Sequence, residues 1–242
     1  MKNIKDVVTF NELKWDTDFF GVASAKSTLH KPLAFNEWLE LKTRFKDYQF
    51  ISIANMNSEP INAQLIGKDT TAFLADINIQ FEKKLLGLDD KPKNVTIHQA
   101  LEKNDQVIGI TDFQFSKFTE DPELAKRGGD QVYQQWLINS FGKTDKFYAL
   151  SEDETGDING FLLFSYTDST CVIELIAVSK KETKGGIGTS LFKAVEYRAY
   201  KQGVKEIKVG TQLRNLGAIN FYHKVGCMQT GCHQVYHLWN NK

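Results

Sequence analysis

The chain reads VIELIAVSKKETKGGIGTSLFKAVEYRAYKQG from residue 172 to residue 203. Residues 172–178 are an apolar, β-branched run of strand length, and residues 187–199 place an apolar side chain at every fourth position, as in a helix. The glycine-rich turn GGIG lies between them. A strand that enters a helix through such a turn leaves the first helical N–H groups without intrahelical partners, at the positive end of the helix dipole. The stretch therefore predicts an anion site, with phosphate as the usual ligand.

The composition around this stretch is that of an ordinary soluble globular protein. The 242 residues can form one large domain or two small ones, with 41% hydrophobic and 25% charged residues. Thirty basic and thirty acidic residues give a formal net charge of zero. Nothing in this balance indicates a nucleic-acid partner or a membrane surface.

Neither membrane insertion nor metal binding is expected. The apolar runs are too short to span a bilayer, and the first residues, MKNIKDVVTF, lack the features of a signal peptide, so we expect a cytoplasmic protein. Cys171, Cys227 and Cys232 are an odd number of cysteines without zinc spacing, which favours reduced thiols. The five histidines form no HExxH or comparable ligand set, so we expect no metal.

The first third of the chain predicts a small α/β unit. Its strands and helices are expected in alternation, at residues 7–10, 33–46, 48–53, 63–68 and 71–81. Residues 83–93 are polar and contain Asp89, Asp90 and Pro92, which is typical of a linker. We therefore expect a domain at residues 1–88 and a second domain at residues 94–242.

The second domain is also predicted to mix strands and helices. A strand at 95–97 is expected to lead into a helix that starts at 98–103, and residues 147–150 and 160–166 to form a hairpin around the turn-rich loop SEDETGDIN. A strand at 206–210, a helix at 215–224 and a last strand at 233–239 follow. The predicted fold class is α/β, as a mixed α+β arrangement.

Three phosphate sites could explain the sequence GGIGTSL. A P-loop needs Lys followed by Ser or Thr after the last glycine, but Thr189 and Ser190 follow Gly188 without a lysine. The dinucleotide pattern GxGxxG needs glycine where Leu191 stands, and it lies early in its fold. The remaining site is a cradle for the pyrophosphate of acyl-coenzyme A.

Two sequence blocks carry a resemblance to a known family. The first is the strand ending Ile176-Ala177-Val178 with the glycines of TKGGIG, where Thr183 stands in place of the usual Arg or Gln. The second is NLGAINFYHKVG, in which Asn215 and Tyr222 match the pattern Asn-x-x-Ala-x-x-x-Tyr-x-x-x-Gly. The chain thereby resembles the GNAT superfamily of acyl-CoA-dependent N-acyltransferases.

The resemblance implies a GNAT fold and a binding site for acetyl-CoA as co-substrate. The fold has a central mixed, mostly antiparallel sheet flanked by helices, preceded here by a small α/β, truncated GNAT-like domain. The backbone at residues 176–178 would pair with the pantetheine arm, and the N–H of Val178 would stabilise the oxyanion. The residues implied to bind the cofactor are Ile176, Ala177, Val178, Lys184, Gly185, Gly186, Ile187, Gly188, Thr189 and Asn215.

The resemblance also gives Tyr222 and Asn215 their roles. They are separated by seven residues, about two helical turns, so they share one helix face. Asn215 would bond the pantetheine arm, and Tyr222 would protonate the departing thiolate as the general acid. Glu174 is a candidate general base, and a cross-strand ion pair is an equally good interpretation of it.

The segment LKWDTDFFGVASAK at residues 13–26 resembles the bacterial dTDP-fucosamine acetyltransferases, as do shorter patches across the chain. These enzymes acetylate the 4-amino group of a dTDP-linked 4-amino-4,6-dideoxyhexose. The resemblance implies a transferase for a nucleotide sugar, in cell-surface polysaccharide biosynthesis, and suggests a homodimer. Ser116, Lys117 and Phe118 are then the candidate contacts to the acceptor.

Two other functions remain open from the sequence. The acceptor could be another amine, such as a peptide amino terminus, a polyamine or an aminoglycoside. The chain could also be a non-catalytic acyl-CoA-binding module, although it retains Tyr222 and Asn215.

Overall fold

The computed structural model describes residues 7–87, 92, 94–180 and 185–240 of the chain. The strands in this part of the chain are β1 Val8–Glu12, β2 Ser24–Leu29, β3 Phe50–Asn55, β4 Phe73–Lys84, β5 Val95–Gln99, β6 Lys146–Glu152, β7 Ile158–Thr167, β8 Thr170–Val178, β9 Glu206–Gln212 and β10 Met228–Trp239. The α-helices are α1 Lys14–Phe20, α2 Phe35–Phe45, α3 Pro60–Asp69, α4 Asp105–Gly109, α5 Lys117–Glu120, α6 Pro122–Ala125, α7 Val132–Ser140, α8 Ile187–Lys201 and α9 Leu216–Lys224. Short 3-10 turns occur at Met56–Ser58 and Gly129–Gln131.

The ten described strands form one sheet in the order β1-β2-β3-β10-β4-β9-β8-β7-β6-β5. Neighbouring strands are antiparallel except for two parallel pairs, β2 with β3 and β8 with β9. Helices cover both faces. The predicted mixed, mostly antiparallel sheet flanked by helices is therefore confirmed.

The last strand, β10, lies inside the sheet and joins its two halves. It pairs with β3 on one side and with β4 on the other, while β4 pairs with β9. The sheet thus continues from the first half of the chain into the second. The expected division at residues 88–94 stays a prediction. Of the expected linker at residues 83–93, Lys83 and Lys84 belong to β4, and residues 88–91 and 93 lie outside the described residues.

One predicted helix is wrong at its start. Strand β5 continues to Gln99, which pairs with Phe147, and Ala100 then adopts a left-handed φ of 52°. The helix begins only at α4, where the Asn104 side chain caps it by accepting a hydrogen bond from the Val107 N–H at 3.1 Å. The hairpin of β6 and β7 is confirmed.

Four buried clusters hold helices on the two faces of the sheet. On one face, a large cluster around Phe192 packs α8 and α9, and a cluster around Trp38 packs α2 and α3. On the other face, a cluster around Tyr148 packs α4 and α7, and one around Phe20 packs α1 and α6. No helix in the described parts of the chain is long and apolar enough to cross a membrane.

Candidate active site

The parallel strands β8 and β9 separate to form an opening, which we call the cleft. They pair at only three positions, from Thr170 and Glu206 to Val172 and Lys208. Beyond that point β8 stays paired with β7 and β9 stays paired with β4. The volume between the strands is about 310 Å³. Two strand edges with unpaired backbone groups therefore face each other across the cleft.

The cleft brings together predicted residues from two separate sequence blocks. Those that line it are Glu174, Ile176, Ala177, Val178, Asn215 and Tyr222. The edge of β8 carries the first four, and the start and middle of α9 carry the last two. The structure thus places both matched motifs on one opening.

The backbone of β8 has donors that point into the cleft. The N–H of Ser179, just after β8, donates to the carbonyl of Asn159 on the β7 side at 2.8 Å. Because successive N–H groups along an extended strand point to opposite edges, we expect the N–H of Val178 to point to the cleft. This direction is the one that an oxyanion donor at Val178 requires.

Helix α8 begins at the end of the cleft. Gly186 precedes it with a φ of 75°, which glycine adopts without strain, and residues 187–189 form its first turn. Gly160 on β7 allows the helix to approach closely, since a Cβ there would lie 2.8 Å from Ile187 Cγ2. The first N–H groups of a 15-residue helix are therefore fixed at the position expected for a pyrophosphate cradle.

The other residues predicted for the pyrophosphate cradle lie before α8, in its first turn or outside the described residues. Gly185 and Gly186 directly precede α8, while Gly188 and Thr189 lie in its first turn. The side chain of Ile187 is buried in the core, so only its backbone N–H can contribute. Lys184, like Thr183, lies outside the described residues.

Tyr222 reaches the cleft from a buried position on α9. Its ring contacts Phe81 at 5.4 Å and Phe221 at 5.3 Å between centroids. Burial raises the pKa of its phenol, and the nearby Cys227 thiol raises it further. Because a tyrosine already titrates near pH 10, this phenol stays protonated at neutral pH and can act as a proton donor.

Asn215 is the N-cap of α9. Its side-chain oxygen accepts a hydrogen bond from the Ala218 N–H at 3.0 Å. This bond uses the oxygen only, and a side-chain amide also carries two N–H donors. Asn215 can therefore cap the helix and donate into the cleft at the same time.

Glu174 forms the cross-strand ion pair that was one interpretation of the sequence, and its role as a general base stays a prediction. It is the extra residue of a β-bulge, because Leu163 pairs with Leu175 while Phe164 pairs with Ile173. Its Oε1 accepts a 2.6 Å bond from Lys146 Nζ across β7. Its Oε2 is buried without a hydrogen-bond partner among the described residues. One oxygen is thus held in an ion pair and the other is left for a ligand.

The predicted acceptor residues lie at the start of α5. Ser116 is buried and caps this helix, since its Oγ accepts from the Phe118 N–H at 3.1 Å. Lys117 interacts electrostatically with Asp16, Lys26 and Asp76, and we call these four residues the charged cluster. Burial and the charge of Lys26 lower the pKa of Lys117 to about 8. Burial raises the pKa of Asp76 to about 6.

Several residues near the cleft could not be found from the sequence. Lys146 binds Glu174 from 28 positions away, and Gln212 Nε2 donates to Tyr133 Oη at 3.0 Å. Both Gln212 and Tyr133 line the cleft. These contacts depend on the register of the sheet and on how α7 packs, so the local spacing of residues in the sequence does not predict them.

A buried hydrogen bond between a histidine and a carboxylate fixes the segment that carries Lys117, because burial lowers the pKa of His237 and keeps its imidazole neutral. His237 Nδ1 on β10 lies 2.7 Å from Asp121 Oδ2, and the same oxygen accepts from Trp239 Nε1 at 3.0 Å. Burial tends to raise the pKa of Asp121, but these bonds outweigh it and hold that pKa below its usual value. Asp121 also caps α6. The segment predicted to contact the acceptor is thereby attached to the last strand of the chain, although Ser116, Lys117 and Phe118 do not line the cleft.

The comparisons with known proteins agree with this geometry. Residues 111–227 match the family model described as the acetyltransferase (GNAT) family. A solved structure of a GCN5-related N-acetyltransferase from Sphaerobacter thermophilus superposes with a TM-score of 0.65 at 13% identity, over 96% of this chain and 76% of that chain. At this identity the likeness shows the fold alone.

Two curated proteins of Bacillus subtilis (strain 168) are similar in sequence. The spore coat polysaccharide biosynthesis protein SpsD is 25% identical over 130 residues, which are 54% of this chain and 45% of that protein. The uncharacterized protein YdhI is 32% identical over 117 residues, 48% of this chain and 65% of that protein. The chain therefore covers about half to two thirds of the length of these relatives.

Proposed function

We propose that the protein transfers the acetyl group of acetyl-CoA to a nucleotide-linked amino sugar. The match of residues 111–227 to the acetyltransferase (GNAT) family model supports the acetyl transfer. The acceptor in this proposal is the amino group of a dTDP-4-amino-4,6-dideoxyhexose. The observation that carries the proposal is the cleft between β8 and β9, which Tyr222 and Asn215 line from α9, with the first turn of α8 packed against Phe221 of the same helix.

The described residues offer partners for the pantetheine arm and the pyrophosphate of acetyl-CoA. The free edge of β8 offers backbone partners for the pantetheine amides, and the N–H groups at the start of α8 suit the pyrophosphate. Asn215 would donate to the pantetheine arm. Bound there, acetyl-CoA supplies an acetyl group activated as a thioester.

The residues of the cleft can donate one proton and accept the other in a direct transfer of the acetyl group. The acceptor nitrogen forms a bond to the acetyl carbon while the carbon–sulfur bond breaks, and the N–H of Val178 stabilises the developing oxyanion. Tyr222 donates its proton to the departing sulfur. Glu174 Oε2 accepts the proton that the nitrogen loses, directly or through a water molecule.

The choice of acceptor is supported by sequence similarity and by charge. SpsD, which is similar to this chain over 130 residues, is named for spore coat polysaccharide biosynthesis. The charged cluster contains two carboxylates and two amines, so it matches a zwitterionic or phosphorylated acceptor better than a polycation. A cytoplasmic location and a homodimeric assembly stay predictions.

An assay of CoA thiol release tests the proposal. We expect release from acetyl-CoA with a dTDP-4-amino-4,6-dideoxyhexose, and much less with a polyamine, an aminoglycoside or a peptide amino terminus. Release with one of those amines alone would move the function to another acceptor. Acetyl-CoA binding without release for any amine would instead indicate a non-catalytic binding module.

A further inference from the structure

A second cavity, which we call the indole pocket, lies between α1 and α7. It has a volume of about 500 Å³. Trp15 and Asp16 line it from α1, Trp136 lines it from α7, and Phe118 lines it from α5. The matched motifs of the acetyltransferase domain do not include any of these four residues.

The two tryptophans of the indole pocket are partly exposed, so part of each ring is not used in core packing. Trp15 is 38% exposed and Trp136 is 40% exposed. The Trp15 ring stacks on the Phe19 ring, with centroids 4.7 Å apart and an angle of 16° between the planes. The Trp136 ring stacks on the Tyr133 ring, with centroids 6.2 Å apart and an angle of 18°. Such supported indole faces are suited to stacking against a planar ring, with little side-chain freedom left to lose on binding.

A cation lies next to this pocket. The Nζ of Lys117 is 5.1 Å from the centre of the Phe118 ring, and Lys117 makes no close ion pair among the described residues. The charge of Lys117 is repelled by Lys26 and attracted by Asp16 and Asp76. A partly buried cation without a direct partner is costly, and an anionic group of a ligand would offset that cost.

The indole pocket and the cleft meet at one ion pair. Lys146 lines the pocket and donates to Glu174, and Glu174 lines the cleft. Tyr133 makes a second connection, because it lines the cleft while its ring stacks on Trp136. A ligand with an amine at one end and an aromatic ring at the other could therefore occupy both cavities.

We propose that the indole pocket binds the aromatic base of the nucleotide part of the acceptor, with Lys117 facing its phosphates. This inference rests on the proposed function only in taking the acceptor to be nucleotide-linked. The amine would then lie in the cleft beside Glu174, and the base would stack on Trp15 and Trp136.

Binding of dTDP to the full chain tests the inference without any acetyl transfer. Titration followed by tryptophan fluorescence and calorimetry should give saturable binding to the wild type. Trp15→Ala and Trp136→Ala should each weaken the dTDP Kd about tenfold, as expected for loss of one base-stacking contact. Trp136→Phe keeps a ring and should lose less than Trp136→Ala.

Matched measurements separate this effect from unfolding. Tyr200→Ala removes a similarly exposed aromatic ring, 37% exposed, from α8, and should leave the dTDP Kd unchanged. All variants should keep the wild-type Kd for acetyl-CoA. An unchanged dTDP Kd in both Trp→Ala variants, or an equal loss in Tyr200→Ala, would overturn the inference.

The inference and the proposed function can fail separately. If the wild type acetylates the dTDP-linked amino sugar and the Trp→Ala variants keep its KM, the inference fails and the function stands. If dTDP binds through Trp15 and Trp136 but only amines without a nucleotide are acetylated, the inference stands and the proposed acceptor fails.

Discussion

The two walls of the cleft are built in different ways. The wall assigned to acetyl-CoA comes from residues 173–178, 185–189 and 215–222, so about 50 consecutive residues contain all of it. The wall that we propose for the acceptor, called the acceptor wall, lies partly outside the cleft. It combines α1, β4, α5, α7 and β6, with residues from Asp16 to Lys146 that line the indole pocket or belong to the charged cluster. The acetyl-CoA wall is a local supersecondary unit, whereas the residues of the acceptor wall are far apart in the sequence and meet only through the tertiary fold.

The walls also differ in the groups that they offer. The acetyl-CoA wall presents mainly backbone N–H groups, on the β8 edge and at the start of α8. The acceptor wall presents charged side chains that are partly buried, including Asp76 and Lys117. Backbone sites tolerate changes of side chain, whereas buried charges depend on each partner. Substitutions should therefore affect the two walls separately.

The largest effect on stability is expected from Asp121→Ala. It removes the carboxylate that pairs with buried His237, accepts from Trp239 and caps α6, and leaving these donors unpaired typically costs about 2 kcal/mol or more. Urea unfolding followed by circular dichroism would measure the loss. Asp130→Ala removes an exposed acid nearby and should change stability by less than about 0.5 kcal/mol. Equal losses in the two variants would show that Asp121 does not hold the acceptor wall.

Glu174→Gln should lower kcat about 100-fold, because the amide cannot accept the proton of the acceptor nitrogen. The Kd of acetyl-CoA should stay the same, since the contacts proposed for acetyl-CoA on β8 are backbone groups of residues 176–178 and not the Glu174 side chain. Glu206→Gln on β9 is the matched control, as it also breaks ion pairs with lysines, and kcat should change less than about twofold.

If Glu174 serves only its ion pair, the outcome is different. Lys146→Gln and Glu174→Gln would then lower stability to a similar extent, and kcat would stay near the wild-type value in both variants. Stability and kcat measured on the same preparations distinguish the two roles.

A smaller effect is expected from Asn215→Asp. The carboxylate keeps the N-cap bond to the Ala218 N–H but loses the two amide donors. Loss of one hydrogen bond worth about 1 kcal/mol should weaken the Kd of acetyl-CoA about fivefold, with stability unchanged. Asn215→Ala should weaken binding similarly and also destabilise the protein by about 1 kcal/mol. Unchanged acetyl-CoA binding in both variants would remove Asn215 from the acetyl-CoA wall.

The sequence predicts the first wall well because its information is local. Glycines at 185, 186 and 188 and the spacing from Asn215 to Tyr222 need only one turn and one helix to bring their residues together. The structure places both motifs on the cleft, although their roles stay predictions. The predicted strand at 172–178 is likewise part of β8.

For the second wall, the sequence resemblance named only Ser116, Lys117 and Phe118, and the other residues could not be predicted because their contacts join distant parts of the chain. Asp121 and His237 are 116 positions apart, and they meet only because β10 inserts between β3 and β4. The helix expected at 98–103 failed for a related reason: residues 95–99 pair with β6, and pairing within the sheet overrides local helical preference. Trp15 and Trp136 carry no local motif, and aromatic residues in a sequence are mostly core packing residues.

Replacement of Tyr222 by Phe tests the central claim most directly. The ring and its packing on Phe81 and Phe221 would remain, so the fold and the Kd of acetyl-CoA should not change. Because burial raises the pKa of this phenol, the wild type should keep its acid throughout the neutral and mildly alkaline range. We expect Tyr222→Phe to lower kcat at least about 100-fold across that range. A kcat equal to that of the wild type at every pH would contradict the account.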